Sequence, residues 1–292
     1  MTVYDCCCFL NENDLYEIRF EQHWDFVDKF VIVEAGETHT GLKKPFNFDH
    51  KRFEKYASKI IYAKFDSFEE EMAKYPELLD ADALRDRGPM METMDWTRGH
   101  FQANYMWKVL LDNGAQDTDL AYMSCADEII KKEAWDQAAL RYQNDYRDHR
   151  GYRPVFGFHY YLYAYKINLL HKTWREHVAG QVNEVGSFKQ LLPATWRSQG
   201  ISTHLPIPDA GWHFTFLDNT DGEMVLEKQR SWSHSRDKYP GIKTKFDHTT
   251  KEEAVERFFQ DYAVTQVPIT AETHPKYIVD NLDKFQNLIY KG

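Results

Sequence analysis

The sequence lacks any apolar stretch long enough to cross a membrane, since no hydrophobic run approaches the roughly 18 residues that a spanning helix needs. It also lacks an excess of basic residues: 36 Lys and Arg face 46 Asp and Glu, a formal net charge of −10. This acidic balance argues against a protein that grips nucleic acid through its phosphates. Hydrophobic residues make up 42% of the chain and can form a full core. We therefore expect a soluble globular protein with no membrane span and no nucleic-acid partner.

Cysteine is scarce, and its placement excludes two kinds of site. Three of the four cysteines are adjacent, Cys6-Cys7-Cys8, a spacing that suits neither a disulfide framework nor a CxxC metal site. We expect them to be core residues of a strand.

The motifs GxGxxG, GxxxxGK[ST], HExxH and GxSxG are also missing, which excludes the best-known phosphate loops and hydrolase motifs. Residues 1–5 lack the basic and apolar regions of a secretory signal, so we expect a cytoplasmic location, in the host cytoplasm if the protein is viral.

Hydrophobic patterning in the first third predicts alternating strands and helices. Apolar runs at 4–10, 30–33 and 59–63 are typical of buried strands, with helical spacing after Leu15 and from about Asn47. This βαβαβ order predicts an α/β fold with a Rossmann-like, mostly parallel central sheet flanked by helices. Further along, we expect a surface excursion at 66–95, a helix from Trp96, an aromatic strand at 155–165, a helix at 223–232, and amphipathic closing segments at 251–262 and 275–290. The absence of a composition shift favours one domain, 1–292.

The strongest local chemical signal follows the apolar run 120–123, which ends at Ser124-Cys125-Ala126-Asp127-Glu128. A strand whose carboxyl end presents two adjacent acids is where an α/β fold places a metal or an acid/base group. Acids at strand ends also cap the next helix, and the motif alone leaves both interpretations open. A divalent cation held by a carboxylate would suit transfer of a sugar from a nucleotide diphosphate, because it neutralises the leaving group.

Four more residues have both a functional and a structural interpretation. His213 and His234 are candidate metal ligands, although a single histidine is more often structural. Trp212 could stack on a sugar ring or a base, although most large aromatics supply core area. Glu34 ends the second predicted strand, where an acid could bond a ribose or cap the following turn.

Segments along the whole chain resemble glycosyltransferase family 17, whose best-known members are the β-1,4-mannosyl-glycoprotein N-acetylglucosaminyltransferases. They run in collinear order from about Tyr4 to Tyr290. The matching segments are Tyr4-Asp5, Phe9-Leu10-Asn11-Glu12, Asp14-Leu15, Glu17-Ile18-Arg19, Phe30-Val31-Ile32-Val33-Glu34, Thr38, Gly41, Lys44-Pro45, Trp96, Arg98, Gln102, Asn104, Ser124, Ala126-Asp127-Glu128-Ile129, Ala210-Gly211-Trp212-His213-Phe214, Ser231, Ser233-His234 and Pro275-Lys276-Tyr277. Each motif is weak alone, whereas the ordered set is specific.

The resemblance implies a GT-A type transferase that inverts the anomeric centre, uses UDP-N-acetylglucosamine and needs Mn²⁺ or Mg²⁺. It implies that Asp127 meets the metal, with His213 or His234 as a further ligand or a phosphate contact, and that Glu128 is the first candidate for the general base. The other residues carried over to the donor site are Glu34, Asn11, Glu12, Arg98, Cys125 and Trp212. Residues 1–130 would bind the nucleotide sugar, and residues 131–292 would bind the acceptor and close the fold with their last helices.

Three departures from the family pattern stand out. Cys125 occupies a position that is acidic in the family, and a thiol is a poor partner for Mg²⁺ or Mn²⁺. Gly99 replaces an acid and Ile130 replaces a proline. Eukaryotic members are membrane-anchored secretory enzymes, whereas this sequence shows neither a secretory signal nor a membrane span. We therefore expect a microbial or viral enzyme whose acceptor is a glycan, a lipid-linked sugar or a small hydroxyl compound.

Two alternatives to a transferase remain at this point. Cys125 motivates a catalytically impaired glycan-binding or assembly protein on the same fold. A metal-dependent phosphoesterase is less favoured, because Asp127 and Glu128 alone offer too few ligands.

Overall fold

The computed structural model describes residues 1–79, 94–144, 156–172, 177–200, 206–233 and 250–292. Within these residues one sheet contains the strands β1 (Val3–Phe9), β2 (Lys29–Ala35), β3 (Ile60–Phe65), β4 (Leu120–Ser124), β5 (Glu128–Ile130), β6 (Phe156–Ala164), β7 (Leu169–His171), β8 (His177–Glu184), β9 (Ile207–Thr215) and β10 (Val264–Gln266). The α-helices are α1 (Asn13–His23), α2 (Phe68–Lys74), α3 (Met94–Asp112), α4 (Lys132–Gln143), α5 (Pro193–Gly200), α6 (Glu223–Ser231), α7 (Lys251–Asp261) and α8 (Lys276–Asp280). Short 3₁₀ helices cover Glu54–Lys59, Pro76–Leu78, Val185–Lys189 and Gln286–Leu288.

The sheet combines a parallel part with an antiparallel part. Its main path runs β10-β7-β6-β8-β4-β1-β2-β3, and β9 joins it by pairing with β6 and β5. The strands β4, β1, β2 and β3 are parallel, whereas β8 lies antiparallel to β4. The predicted α/β class, with a Rossmann-like sheet flanked by helices, is confirmed, and the parallel order is concentrated in the first half of the chain.

Alternation along β1 builds the core on both faces of the sheet. Cys6 and Cys7 point to opposite faces and are fully buried, as predicted, whereas Cys8 is half-buried. Cys7 joins the cluster that includes Tyr16 and Phe20 of α1. Cys6 joins the cluster on the other face, which α3 covers with a row of apolar side chains at helical spacing: Phe101, Tyr105, Met106, Val109 and Leu110.

Two predicted helices are shorter than expected. The segment from Asn47 forms only the 3₁₀ helix Glu54–Lys59, and the backbone N–H groups of Asn47 and Phe48 bond to the Glu34 carboxylate. The closing segment 275–290 is α-helical only over Lys276–Asp280. There the side chain of Asn281 donates to the carbonyl of Tyr277 at 2.9 Å, which competes with the helical backbone pattern.

Other expected elements are confirmed. Helices α3, α6 and α7 and the aromatic strand β6 lie where the sequence predicts them. The predicted surface excursion 66–95 contains α2, while residues 80–93 lie outside the described ranges. No helix in the described ranges is both long and apolar enough to cross a bilayer. The division into one domain with two functional halves stays a prediction.

The strand order defines where a ligand would lie. The chain proceeds from β1 to β2 and β3 on one side, and β4 lies on the other side of β1. The gap between β1 and β4 is therefore the topological switch point, and open α/β sheets bind ligands outside the carboxyl ends of the strands at that point. The segments that leave this edge begin at Leu10 after β1 and at Cys125 after β4.

Candidate functional site

The acidic motif forms a tight turn at the carboxyl end of β4. The N–H of Glu128 donates to the carbonyl of Cys125 at 3.1 Å, which closes the turn. The N–H of Phe214 donates to the carbonyl of Asp127 at 2.9 Å, and Glu128 lies opposite His213 in the β5–β9 pair. The turn is thus tied to β9, and His213 comes beside the two acids although it lies 85 residues from Glu128 in the sequence.

Asp127 is buried between two basic side chains. Its Oδ2 accepts a hydrogen bond from Nζ of Lys228 at 2.9 Å, and its Oδ1 lies 3.5 Å from Nε2 of His213. Burial raises the pKa of this carboxyl, but the charges of Lys228 and His213 outweigh burial and hold the pKa well below its usual range. Asp127 is therefore ionised at neutral pH.

Glu128 faces a different cation. Its two carboxylate oxygens accept hydrogen bonds from Arg197 at 2.6 and 3.1 Å, and Oε2 also accepts from the N–H of Cys125 at 3.0 Å. The side chain is only 1% exposed. Burial raises its pKa, whereas Arg197 and His213 lower it, and the net shift is downward.

Cys125 is the exposed member of the motif. Its Sγ lies 3.2 Å from Nη2 of Arg197. Surrounding protein atoms raise the pKa of the thiol to about 12 in spite of Arg197, so the thiol is protonated at neutral pH. Ligand atoms of Cys125, Asp127 and Glu128 all lie within 4.8 Å of one another.

Two buried polar side chains position the helices that carry the cations. Asp218 accepts hydrogen bonds from the N–H groups of Gly222 at 3.0 Å and Val225 at 3.1 Å, which caps the start of α6 and thereby places Lys228. On the other side, Oδ1 of Asn104 accepts from the N–H of Ala194 at 2.8 Å at the start of α5, the helix of Arg197.

The segment after β1 forms the opposite rim. The Glu12 carboxylate accepts hydrogen bonds from the N–H groups of Leu10 at 2.9 Å and Asn11 at 3.0 Å. Burial raises the pKa of Glu12 although Lys228 lowers it. The side chain of Asn11 donates to Glu227 on α6 at 2.6 Å. Asn11 and Glu12 therefore lie beside the helix of Lys228.

Three predicted donor-site residues lie outside this cluster of contacts. The Glu34 carboxylate is fully buried and accepts from Lys44 at 2.6 Å, from Tyr62 at 2.8 Å and from two backbone N–H groups, so it organises the loop after β2. Arg98 donates to the carbonyl of His39 at 3.1 Å. Trp212 is buried in the core and donates to the carbonyl of Thr273 at 2.8 Å. Their roles in donor binding stay predictions. The role of His234 as a metal ligand also stays a prediction, because His234 lies outside the described residues.

A pocket of about 410 Å³ opens at the same edge of the sheet, beyond the ends of β2 and β3. It is lined by Gly36, Lys43, Lys44, Pro45, Phe46 and Asp66. Glu34 shapes this pocket indirectly, because it holds Lys44.

This chain is similar to a solved structure and to a protein family. The crystal structure of a 4-diphosphocytidyl-2C-methyl-D-erythritol synthase is similar at 11% identity and a TM-score of 0.37, over 72% of this chain and 89% of that one. The search of curated proteins gave no significant match. The family model described as Glycosyltransferase family 17 matches residues 1–290, essentially the whole length. With its acidic turn at the switch point of an α/β sheet, this chain belongs to glycosyltransferase family 17 and is a glycosyltransferase.

Proposed function

We propose that this glycosyltransferase transfers N-acetylglucosamine from UDP-N-acetylglucosamine to a hydroxyl of a glycan or another acceptor, with inversion at the anomeric carbon. The observation that carries the proposal is the group of Asp127, His213 and Lys228 at the switch point between β1 and β4. A carboxylate, an imidazole and a permanent cation at a strand-end crevice suit a diphosphate ligand.

In the proposed reaction the acceptor oxygen attacks the anomeric carbon from the face opposite the diphosphate. The bond between that carbon and the diphosphate oxygen breaks, UDP leaves with the electron pair, and the acceptor proton passes to a base. Lys228 and Arg197 would stabilise the negative charge that develops on the leaving diphosphate.

The charge balance of the cleft supports help from an added cation. The acids Asp127, Glu128 and Glu12 are matched by the basic side chains of Lys228, Arg197 and His213, so the cleft offers a diphosphate no excess of positive charge. An added divalent cation would supply that charge.

The ligand chemistry fits a divalent cation at one position. Oδ1 of Asp127 and Nε2 of His213 are 3.5 Å apart, so both can approach one ion, while Lys228 occupies the other carboxylate oxygen. Carboxylate oxygen suits Mn²⁺ and Mg²⁺, whereas the thiol of Cys125 does not. When bound, such an ion would neutralise charge on the diphosphate.

Glu128 as the general base stays a prediction. In this geometry both of its oxygens hold Arg197, so accepting the acceptor proton would require Arg197 to turn away. Such a change is compatible with the role, because catalytic contacts often tighten only when substrate is bound.

The pocket beyond β2 and β3 supports a nucleotide donor. Neighbouring strands lie about 4.8 Å apart, which places the pocket roughly 10–14 Å from the end of β4. An extended nucleoside diphosphate covers such a span. We assign the nucleoside to this pocket and the diphosphate to Lys228.

Donor hydrolysis across a panel of nucleotide sugars, with and without Mn²⁺, tests the proposed function. We expect UDP-N-acetylglucosamine to be cleaved fastest, UDP with Mn²⁺ to raise the melting temperature, and Asp127→Ala to remove both effects. Asp136→Asn, an exposed acid on α4, is the control and should behave as wild type. Failure of every nucleotide sugar, in hydrolysis and in binding, would sink the proposal and favour the glycan-binding alternative raised by Cys125.

A further inference from the structure

A buried charged cluster lies directly beneath the turn that carries Asp127. Its members are Asp5 on β1 and Arg19 and His23 on α1, and none is more than 2% exposed. The cluster is therefore closed off from the cleft and cannot touch a substrate.

One side of the Arg19 guanidinium is bound to Asp5. Nε donates to Oδ2 of Asp5 at 2.8 Å, and Nη2 donates to Oδ1 of the same carboxylate. The fork geometry of the guanidinium matches the carboxylate, so Asp5 fixes the plane of the whole group.

The other side of the guanidinium binds the acidic turn. Nη1 donates to the carbonyl oxygens of Cys125 at 3.0 Å and Glu128 at 2.7 Å, and Nη2 donates to Oγ of Ser124 at 2.6 Å. All five N–H donors of Arg19 therefore have acceptors. Cys125 and Glu128 are the first and last residues of the turn, and Asp127 lies between them.

Two neighbours reinforce the same segment. The Tyr122 hydroxyl donates to the carbonyl of Glu128 at 3.0 Å, and its ring lies 5.1 Å from the Arg19 guanidinium carbon. Nε2 of His23 accepts from the N–H of Ile130 at 3.0 Å, so the ring proton is on Nδ1, which lies 2.7 Å from Oδ2 of Asp5. The polypeptide is thus held from residue 124 to residue 130.

Stability alone does not account for this arrangement. Buried ion pairs lose so much hydration that apolar residues of similar volume are often as stable or more stable. An apolar pair, however, would remove the two hydrogen bonds that tie the carbonyls of Cys125 and Glu128 to α1.

We propose that Arg19, held by Asp5, is a positioning residue for glycosyl transfer, which sets the separation of the Asp127 and Glu128 carboxylates by tying both ends of their turn to α1. A loss of kcat on changing Arg19 rests on the proposed function, whereas a displacement of the acidic turn does not. Lysine cannot replace Arg19, because a single ammonium cannot serve the carboxylate and both carbonyls in one plane.

Arg19→Lys tests the inference by kinetics and by crystal structure. We expect kcat for donor hydrolysis to fall by about 10- to 100-fold, as for other groups that orient catalytic side chains, with a much smaller change in the donor KM. The crystal structure should show Asp127 moved away from His213, or Glu128 moved away from Arg197. Arg52→Lys is the matched control: Arg52 binds Asp14 and Glu17 on the same helix but not the turn, and its variant should keep the wild-type kcat.

The outcomes separate the possibilities. Wild-type kcat with an unmoved turn in Arg19→Lys overturns the inference, and so does an equal loss of kcat in Arg52→Lys. If Arg19→Lys does not fold, Asp5→Asn leaves Arg19 without the carboxylate that fixes its plane, and an unchanged kcat and turn in that variant would also overturn it. If the wild type cleaves no nucleotide sugar, the proposed function fails, and the position of the turn in the variant decides the inference alone.

Discussion

The two acids of the motif are paired with cations from two different helices. Asp127 is paired with Lys228 on α6, and Glu128 with Arg197 on α5. The sequence allowed Asp127 to be singled out because two adjacent acids follow an apolar strand, and it gave His213 as one of two candidate histidines. Lys228 and Arg197 gave no such signal, since lysine and arginine are ordinary on helix surfaces and Lys228 lies 101 residues from its partner. Only tertiary packing brings them to the cleft.

Lys228→Met removes the ammonium group and keeps most of the apolar stem. We expect kcat/KM for the donor to fall by about 10²- to 10³-fold, because the leaving diphosphate loses a preorganised positive charge. Steady-state donor hydrolysis measures the change. Lys132→Met is the control, since Lys132 pairs with Asp136 on the exposed side of α4. A variant as active as wild type would show that Lys228 only neutralises Asp127.

Cys125→Asp restores the acid of the family pattern. A carboxylate is a harder ligand than a thiol and adds negative charge beside Asp127, so we expect Mn²⁺ to bind about tenfold more tightly. Titration of Mn²⁺ followed by electron paramagnetic resonance gives the affinity. Cys125→Ser, which adds no charge, should bind as wild type does. Unchanged affinity in Cys125→Asp would mean that position 125 does not face the metal.

At the scale of elements, the site depends on how β9 lies against β5 and how α1 lies against β1. The first contact brings His213 beside Asp127, and the second holds the acidic turn from below. Sequence patterning predicted β1, α1 and β4 because their apolar periodicity is strong. It did not predict the β5–β9 pairing, which joins the last residue of the turn and the two residues after it to a strand about 80 positions later.

Gly211→Ala tests the contact between β9 and β5. A Cβ at this position would overlap the carbonyl oxygen of Ile129 and lie 2.8 Å from Cα of Ile130, so the strands must separate. We expect unfolding free energy to fall by about 1–3 kcal/mol, with lower activity because His213 moves with β9. Gly114→Ala is the control: it has φ +80° but open space around it, and should cost about 1 kcal/mol without affecting kcat. Urea denaturation and donor hydrolysis provide the two measurements.

Asp5→Asn tests the contact between β1 and α1 through its pH dependence. Burial raises the pKa of Asp5, but Arg19 and His23 lower it further, to about 2 from an ordinary 3.8. Cys7 is a further titratable group in contact with Asp5, with its Sγ 3.7 Å from Oδ1. Because the folded pKa is depressed, the stabilisation is complete above about pH 4 and is lost as pH falls towards 2.

At pH 7 we expect Asp5→Asn to be less stable than wild type by about 3 kcal/mol, since Arg19 is left buried without its partner. The difference should narrow between pH 4 and pH 2 as wild type loses the same interaction. Urea denaturation across this range measures it. A difference that stays constant down to pH 2 would contradict the proposed pairing.

For the whole molecule, the ordered motifs predicted the family while the topology of the second half could not be predicted. The family model covers residues 1–290, in agreement with the collinear segments. Strands β6 and β8 contain no alternation that identifies their neighbours, and their pairing depends on long-range contacts with β4 and β9. The predicted boundary at 130 also falls within a shared sheet, since β5 ends at Ile130 and pairs with β9.

The antiparallel pairing of β8 with β4 has a consequence for synthesis in the cell. About 60 residues separate Ser124 from Glu184, and until they leave the ribosome the edge of β4 has no partner. At translation rates of about 5–20 residues per second this takes roughly 3–12 s, during which the nascent chain presents an open strand edge. A fragment ending at residue 130 would retain that edge permanently. We expect such a fragment to aggregate where the full chain does not, and folding in the cell to depend on chaperones that cover β4 until β8 arrives.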